Sequence, residues 1–153
     1  MMQVSQLRNA RGFTLVEMMI VVAILGITAT IAVPSLSQWM GNNQMKQAAT
    51  ELAGNLNLAR AAAMSRGTGI TVTTAMTNGR ATMSFGGIFP PVTLNQRITG
   101  ITAATFGFNT FGLRSGGGAT DTLIALSQTQ GTTYSVAVTP AGRVHWCRNA
   151  TCP

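Results

Sequence analysis

The chain has 153 residues, of which 46% are hydrophobic and only 8% are charged. This balance excludes a disordered chain, which needs low hydrophobicity and high charge, and the length predicts one domain with an appended element. Three acidic residues and one histidine are too few for a catalytic triad, a carboxylate pair or a metal centre, so we expect no enzyme, no cofactor and no metal.

Basic residues outnumber acidic residues by ten to three, and all of them except Lys46 are arginine. Arginine forms bidentate contacts with phosphate and carboxylate groups. The composition is therefore compatible with an acidic partner, either nucleic acid or anionic lipid headgroups, and equally with a solubilising surface charge.

The first predicted element is an apolar helix. Residues 1–12 are polar and basic, and residues 13–33 contain a single charge, Glu17. A helix of this length crosses the roughly 30 Å hydrocarbon core of a bilayer, and the basic flank predicts a cytoplasmic N-terminus. No small-residue cleavage site is obvious after the apolar run, so we expect the span to be retained as an anchor.

Glu17 is unusual because a carboxylate at membrane depth costs about 2.5–3.5 kcal/mol on insertion scales. If the chain is cut after Gly12, the new amine on Phe13 lies one helical turn from Glu17. That amine, or the amine of a neighbouring subunit, would supply a partner cation. The alternative is a glutamate near the interface of a plain anchor.

The string GFTLVE at residues 12–17, followed by an apolar span, resembles the type IV prepilin family. The resemblance implies cleavage between Gly12 and Phe13 by a prepilin peptidase, methylation of Phe13, and a role for Glu17 in subunit docking. Pro34 matches the proline that the family places in the mature helix. The resemblance also implies a single-pass protein of the bacterial inner membrane, with a periplasmic C-terminal part, that joins other pilins in a filament at the cell surface.

The helix is predicted to continue as an amphipathic segment over residues 35–67. Apolar residues recur there at spacings of three and four, namely Met45, Ala49, Leu52, Leu56, Ala59 and Ala63. Pro34 predicts a bend, and Gly67 and Gly69 predict the end of the helix.

Residues 68–153 are predicted to form a small antiparallel β-sheet or β-sandwich. Alternation over residues 70–74 and 81–85, with Asn78-Gly79 between them, predicts a hairpin. Further strands are expected at 97–109, 122–128, 133–139 and 143–147, and the glycine-rich segments predict loops. The predicted fold class is therefore α+β and type IV pilin-like, with a leader (1–12), a transmembrane half-helix (13–34), an amphipathic half-helix (35–67) and a β-rich part (68–153).

The C-terminal segment contains both cysteines, Cys147 and Cys152. They lie on the expected oxidising side of the membrane, so their spacing favours a disulfide over a metal pair or free thiols. If residues 143–147 form a strand, Val144 and Trp146 share one face. This phase favours core packing for Trp146, and the alternative is stacking on an exposed base.

The plan of a long helix, a β-rich body and a closing Gly-Arg-Val segment resembles the FimT/GspH family of minor pilins and minor pseudopilins. Some members bind DNA through a Gly-Arg-Xaa-Arg motif. Gly142 and Arg143 match that motif, and His145 replaces its second arginine. The candidates for contact with double-stranded DNA are Arg143, His145, Trp146, Arg148 and Arg114. The alternative is a solvated edge strand whose charges prevent aggregation.

Two compatible functions follow. The first is a minor pilin or pseudopilin of a type IV pilus or a type II secretion pseudopilus, and the second is a DNA receptor for natural transformation. The alternative to both is minor pseudopilin H of type II secretion, without a nucleic-acid role.

Overall fold

The computed structural model describes the backbone of residues 12–94, 98–129 and 132–152, and the side chains of these ranges except residues 31–34. The expected leader up to Arg11, the packing of Pro34 and the expected strand position of Arg97 lie outside the described residues. The chain divides into two compact units, Met1–Ser37 and Gln38–Pro153.

One helix, α1 (Leu15–Arg66), contributes to both units. Thr14 caps its beginning, because the Glu17 backbone N–H donates to the Thr14 hydroxyl at 3.2 Å. In the first unit the large apolar side chains are exposed, and Phe13, for example, is 77% exposed. Within the described residues, no single straight segment of α1 is long and apolar enough to cross a membrane. Two consecutive segments, Leu15–Thr30 and Ser35–Arg66, meet the criterion of length and composition only when they are taken together.

In the second unit α1 buries one face. The predicted stripe from Met45 to Ala63 is buried, and the neighbouring alanines Ala48, Ala53 and Ala62 widen it. The helix ends at Arg66, where Gly67 and Gly69 predicted its end, and Gly67 has a φ of 63°.

The β-strands form two antiparallel sheets. In chain order the strands of the described residues are β1 (Ile70–Thr77), β2 (Arg80–Ser84), β3 (Val92–Thr93), β4 (Gly100–Ile101), β5 (Ala104–Phe108), β6 (Arg114–Ser115), β7 (Thr122–Ser127), β8 (Tyr134–Val138) and β9 (Val144–Cys147). One sheet has the order β3-β2-β1-β5-β6 and the other has the order β4-β7-β8-β9. The α+β fold class is confirmed, with a helix packed on a small antiparallel core.

The predicted β1–β2 hairpin is confirmed. Thr77 pairs with Arg80, and Asn78 and Gly79 both have positive φ, 51° and 71°. The single strand expected at 97–109 is wrong, because β4 and β5 belong to different sheets. The chain passes from one sheet to the other at Thr102. Its N–H donates to the Ala125 carbonyl of β7 at 3.0 Å, and its carbonyl accepts a hydrogen bond from the Thr74 hydroxyl of β1 at 2.9 Å.

Strand β8 is buried along its whole length. Val136 and Val138 belong to the hydrophobic core. Ser135, on the other face, donates its hydroxyl to the Ala150 carbonyl at 3.0 Å. The C-terminal segment therefore covers the outer face of the second sheet.

Candidate functional site

The N-terminal candidates lie on an exposed surface. Gly12, Phe13 and Glu17 are all exposed, as are the apolar residues that follow them on α1. The Glu17 carboxylate is therefore accessible to a group from outside this unit, and the apolar surface around it has the character of an interface rather than of a solvated helix.

The C-terminal candidates are organised by β9 and by a ring. Strand β9 pairs antiparallel with β8, with Val138 opposite Val144 and Val136 opposite Trp146. Cys147 and Cys152 form a disulfide directly after the strand. The ring that they close fixes the direction in which residues 148–151 leave the sheet.

Trp146 lies at the rim of the core. It shares the inner face with Val144, as the alternation predicted, but it is 37% exposed, so the expected core packing of Trp146 is wrong. Its ring lies 6.0 Å from the Tyr134 ring, and the Lys46 ammonium lies over it, 5.9 Å from the centroid. A cation therefore lies over the Trp146 ring, and a base would have to displace Lys46 to stack on that face.

Arg148 lies near the same end of β9. It is exposed, and its guanidinium donates to the Thr132 hydroxyl at 3.4 Å. Asn42 Oδ1 accepts from the backbone N–H and the hydroxyl of Thr132, both at 3.2 Å, and lies one helical turn from Lys46. Helix α1 and the tail thus bring Lys46, Trp146 and Arg148 to one surface.

Arg143 lies at the opposite end of β9, beside a residue that sequence reasoning missed. Gly142 has a φ of 78°, and a Cβ atom there would overlap the Gly112 carbonyl oxygen and lie 3.1 Å from Arg60 Nε. Arg60 Nε donates to that same carbonyl at 2.8 Å. Arg60 therefore lies beside Gly142, the residue that precedes Arg143, although Arg60 comes 83 positions before Arg143 in the chain, and no local pattern indicated this.

His145 lies between these two ends. It is half-buried, and its Nδ1 atom is buried without a hydrogen-bond partner in the described part of the chain. It borders a cavity of about 450 Å³ between α1 and β9. Among the residues the structure describes, no three His, Cys, Asp or Glu side chains converge on a metal position.

Arg114 does not belong to this surface. It is only 8% exposed, and its guanidinium donates to the carbonyls of Gly116, Gly118 and Thr120, at 2.6–2.8 Å, and to the Thr122 hydroxyl. The glycine-rich loop wraps around the side chain, so Arg114 organises that loop. It is removed from the candidates for DNA contact.

Comparison with known proteins matches the N-terminal part by sequence. Residues 7–33 match the model of the prokaryotic N-terminal methylation motif. The chain is 50% identical over 42 residues to the type IV major pilin protein PilA of Myxococcus xanthus, covering 28% of this chain and 19% of PilA. It is 44% identical over 46 residues to a fimbrial protein of Pseudomonas aeruginosa, covering 30% of each. The chain thus matches less than a third of the length of these curated relatives.

Comparison of structures matches a larger part of the chain. The crystal structure of the type IV minor pilin FimU of Pseudomonas aeruginosa PAO1 aligns with a TM-score of 0.53 at 20% identity, covering 72% of this chain and 93% of that one. A second crystal form of FimU gives a TM-score of 0.52 at 19% identity, covering 71% and 96%.

Proposed function

We propose that this type IV prepilin-like chain, which has the fold of a minor pilin, is assembled into a type IV pilus as a minor subunit. Cleavage between Gly12 and Phe13 by a prepilin peptidase and methylation of Phe13 precede assembly. The chain waits in the inner membrane, with its C-terminal part in the periplasm, and then packs against other pilins. The methylation motif at residues 7–33 and the similarity of the fold to FimU support this proposal.

The observation that carries the proposal is the exposed apolar half of α1 with Glu17 in it. A run of exposed apolar side chains from Phe13 to Ile27 has no cover from the described residues of its own unit. Such a surface needs a lipid or protein environment. Within either one, a carboxylate requires a partner cation, which the Phe13 amine of a processed neighbour supplies.

Two measurements test the assembly proposal. Intact mass of the membrane-extracted protein should show a chain that begins at methylated Phe13; a chain still beginning at Met1 in peptidase-positive cells overturns the proposal. Glu17→Ala should still enter the membrane, because removal of the charge lowers the cost of insertion, yet it should be depleted from sheared pilus fractions. Glu51→Ala, on the second unit, is the matched control and should be incorporated normally.

The same experiment separates the pilus from the alternative machine. A minor pseudopilin H of type II secretion would be absent from sheared pili, and its loss would abolish secretion instead. The matched proteins are named as pilins or fimbrial proteins, which supports the pilus.

DNA binding at the tail is the second candidate function. Residues 35–153 carry eight Lys and Arg residues against Glu51 and Asp121. Arg143 and Arg148 are exposed at the two ends of β9, and Lys46 adds a third cation beside Trp146. Because a cation occupies the Trp146 ring, we infer contact with the phosphates of a duplex rather than stacking on bases.

Salt-dependent titration of the full-length chain in detergent with a short duplex tests this function. Each lost phosphate contact lowers the log–log salt slope by about 0.9. The Arg143→Gln, Arg148→Gln double variant should therefore lose nearly two units, whereas Arg80→Gln, exposed on the β1–β2 turn, should change little. His145→Arg should strengthen binding at neutral pH, since it adds a permanent cation. An unchanged slope in the double variant would mean that the tail is only a solvated surface.

A further inference from the structure

Within the residues that the structure describes, strand β9 is an edge strand, and part of its backbone has no pairing strand. It is the last strand of the order β4-β7-β8-β9. The Thr139 N–H donates to the Arg143 carbonyl at 2.9 Å, which fixes the hydrogen-bonding phase of the hairpin. Because antiparallel pairs alternate, the backbone groups of His145 point toward β8, and those of Val144 and Trp146 point away from it.

A cavity runs along this unpaired edge. It is bordered by three consecutive residues of β9, Val144, His145 and Trp146, and by Thr50, Ala53, Gly54 and Asn57 on α1. Successive side chains of a strand point to opposite faces, so three in a row can border one cavity only if the cavity follows the strand edge. The α1 wall consists of small or short polar residues, and a Cβ atom at Gly54 would meet nothing within 4 Å. There is room beside the edge for another backbone.

A basic residue of α1 flanks each end of this cavity. Lys46 lies over Trp146 at one end, and beyond the other end Arg60 lies beside Gly142, the residue that precedes Arg143. Lys46 and Arg60 are separated by about 21 Å of helix. Glu51, next to Lys46 in a neighbouring cavity, is the one carboxylate along this stretch of α1 in the described residues. The charge therefore favours an acidic ligand.

We propose that the unpaired edge of β9 binds an extended, acidic polypeptide segment of a partner protein. The segment adds a strand to the second sheet and lies between β9 and α1. The edge presents both donors and acceptors, from Val144 and Trp146. A peptide strand satisfies both kinds of group, whereas a phosphate backbone offers acceptors alone and leaves the two carbonyls unmatched. This site does not depend on filament assembly, and it shares Lys46 and Trp146 with the surface proposed for DNA, so the two ligands would compete for it.

The test uses the full-length chain in detergent and an eight-residue peptide of alternating valine and glutamate. The control peptide has the same sequence with N-methyl groups on alternate residues, which removes the donors on one edge. We expect the unmethylated peptide to bind and to slow hydrogen exchange at the amides of Val144 and Trp146. The methylated peptide should bind at least about tenfold more weakly.

Two variant pairs keep the test independent of folding. Val144→Pro removes one outward N–H and leaves the pairing with β8 intact. It should therefore lower the affinity for the peptide about fivefold to tenfold relative to Val144→Ala. Gly54→Leu should block the cavity, whereas Ala61→Leu, exposed elsewhere on α1, should not.

The outcomes decide between two macromolecules. Peptide binding that Gly54→Leu abolishes, with amide protection at Val144 and Trp146, supports the proposal. If the peptide fails to bind and Gly54→Leu instead abolishes the binding of duplex DNA, the cavity is a nucleic-acid site and the proposal is overturned. Peptide binding without protection of these two amides would also overturn it, because the edge would then not be the contact.

Discussion

Gly142→Ala tests whether a single glycine holds the tail turn against α1. Gly142 has a φ of 78°, and its Cα faces the Gly112 carbonyl so closely that a methyl group cannot fit. Gly87 also has a positive φ, 81°, but a Cβ atom there would meet nothing within 4 Å. Gly87→Ala is therefore the matched control, which shares the backbone cost and lacks the steric clash.

The expected magnitudes follow from these contacts. An alanine in the left-handed conformation lowers the free energy of unfolding by roughly 1–2 kcal/mol, and both variants carry this cost. In Gly142→Ala the Gly112 carbonyl must also move, and it accepts a hydrogen bond from Arg60 Nε at 2.8 Å. Hydrogen bonds to charged groups contribute about 1.5–3 kcal/mol. Gly142→Ala should therefore destabilise the chain by about 3–5 kcal/mol and Gly87→Ala by roughly 1–2 kcal/mol.

Urea unfolding of the full-length chain in detergent, followed by circular dichroism, measures both values. In an Arg60→Met background the hydrogen bond is already absent, so the excess cost of Gly142→Ala should shrink by the part that this bond contributes. Equal destabilisation by Gly142→Ala and Gly87→Ala would refute the reasoning, because the clash at Gly112 would then have no energetic consequence.

Three further substitutions are predicted to act through local structure. Replacing Cys147 and Cys152 with serine should lower the free energy of unfolding by about 2 kcal/mol on the loop-entropy model, and reduction of the parent chain should give the same loss. Arg114→Leu should lower the free energy of unfolding by about 2–3 kcal/mol, because the loop carbonyls lose a charged donor. Limited proteolysis should then cut between residues 114 and 122, and an uncut loop would contradict the role of Arg114 in organising it. Asn78→Ala should cost roughly 1 kcal/mol, since alanine tolerates the left-handed turn poorly, while Asn78→Gly should be nearly neutral in thermal unfolding.

The parts of the fold that sequence predicted are those that local patterns determine. The buried stripe from Met45 to Ala63 follows from the helical period, and the β1–β2 hairpin follows from Asn78-Gly79 between two alternating runs. The division of 97–109 into β4 and β5 was missed, because it depends on Thr102 bonding to two strands that are distant in sequence. Alternation alone gave no sign that the chain changes sheets there.

The candidate site shows the same limit. The alternation of β9 placed Trp146 on the inner face, but its exposure depends on where the sheet ends over α1. Arg114 was predicted to be a candidate for DNA contact, yet the glycines that follow it at 116–118 allow the loop carbonyls to close around its side chain. Arg60 carried no local signal, since its place beside Gly142 is set by the packing of Gly112 against that residue.

The cover of β8 has a consequence for the order in which the second unit matures. Ser135 bonds to Ala150, and the Cys152 sulfur lies 3.5 Å from the Ser135 carbonyl, so residues about fifteen positions later complete the burial of this central strand. Synthesis proceeds from the N-terminus, so the outer face of β8 stays open to water until those residues have followed it. Oxidation of the two cysteines then closes the cover. Completion of this unit is thereby coupled to the redox state of the surroundings in which the chain folds.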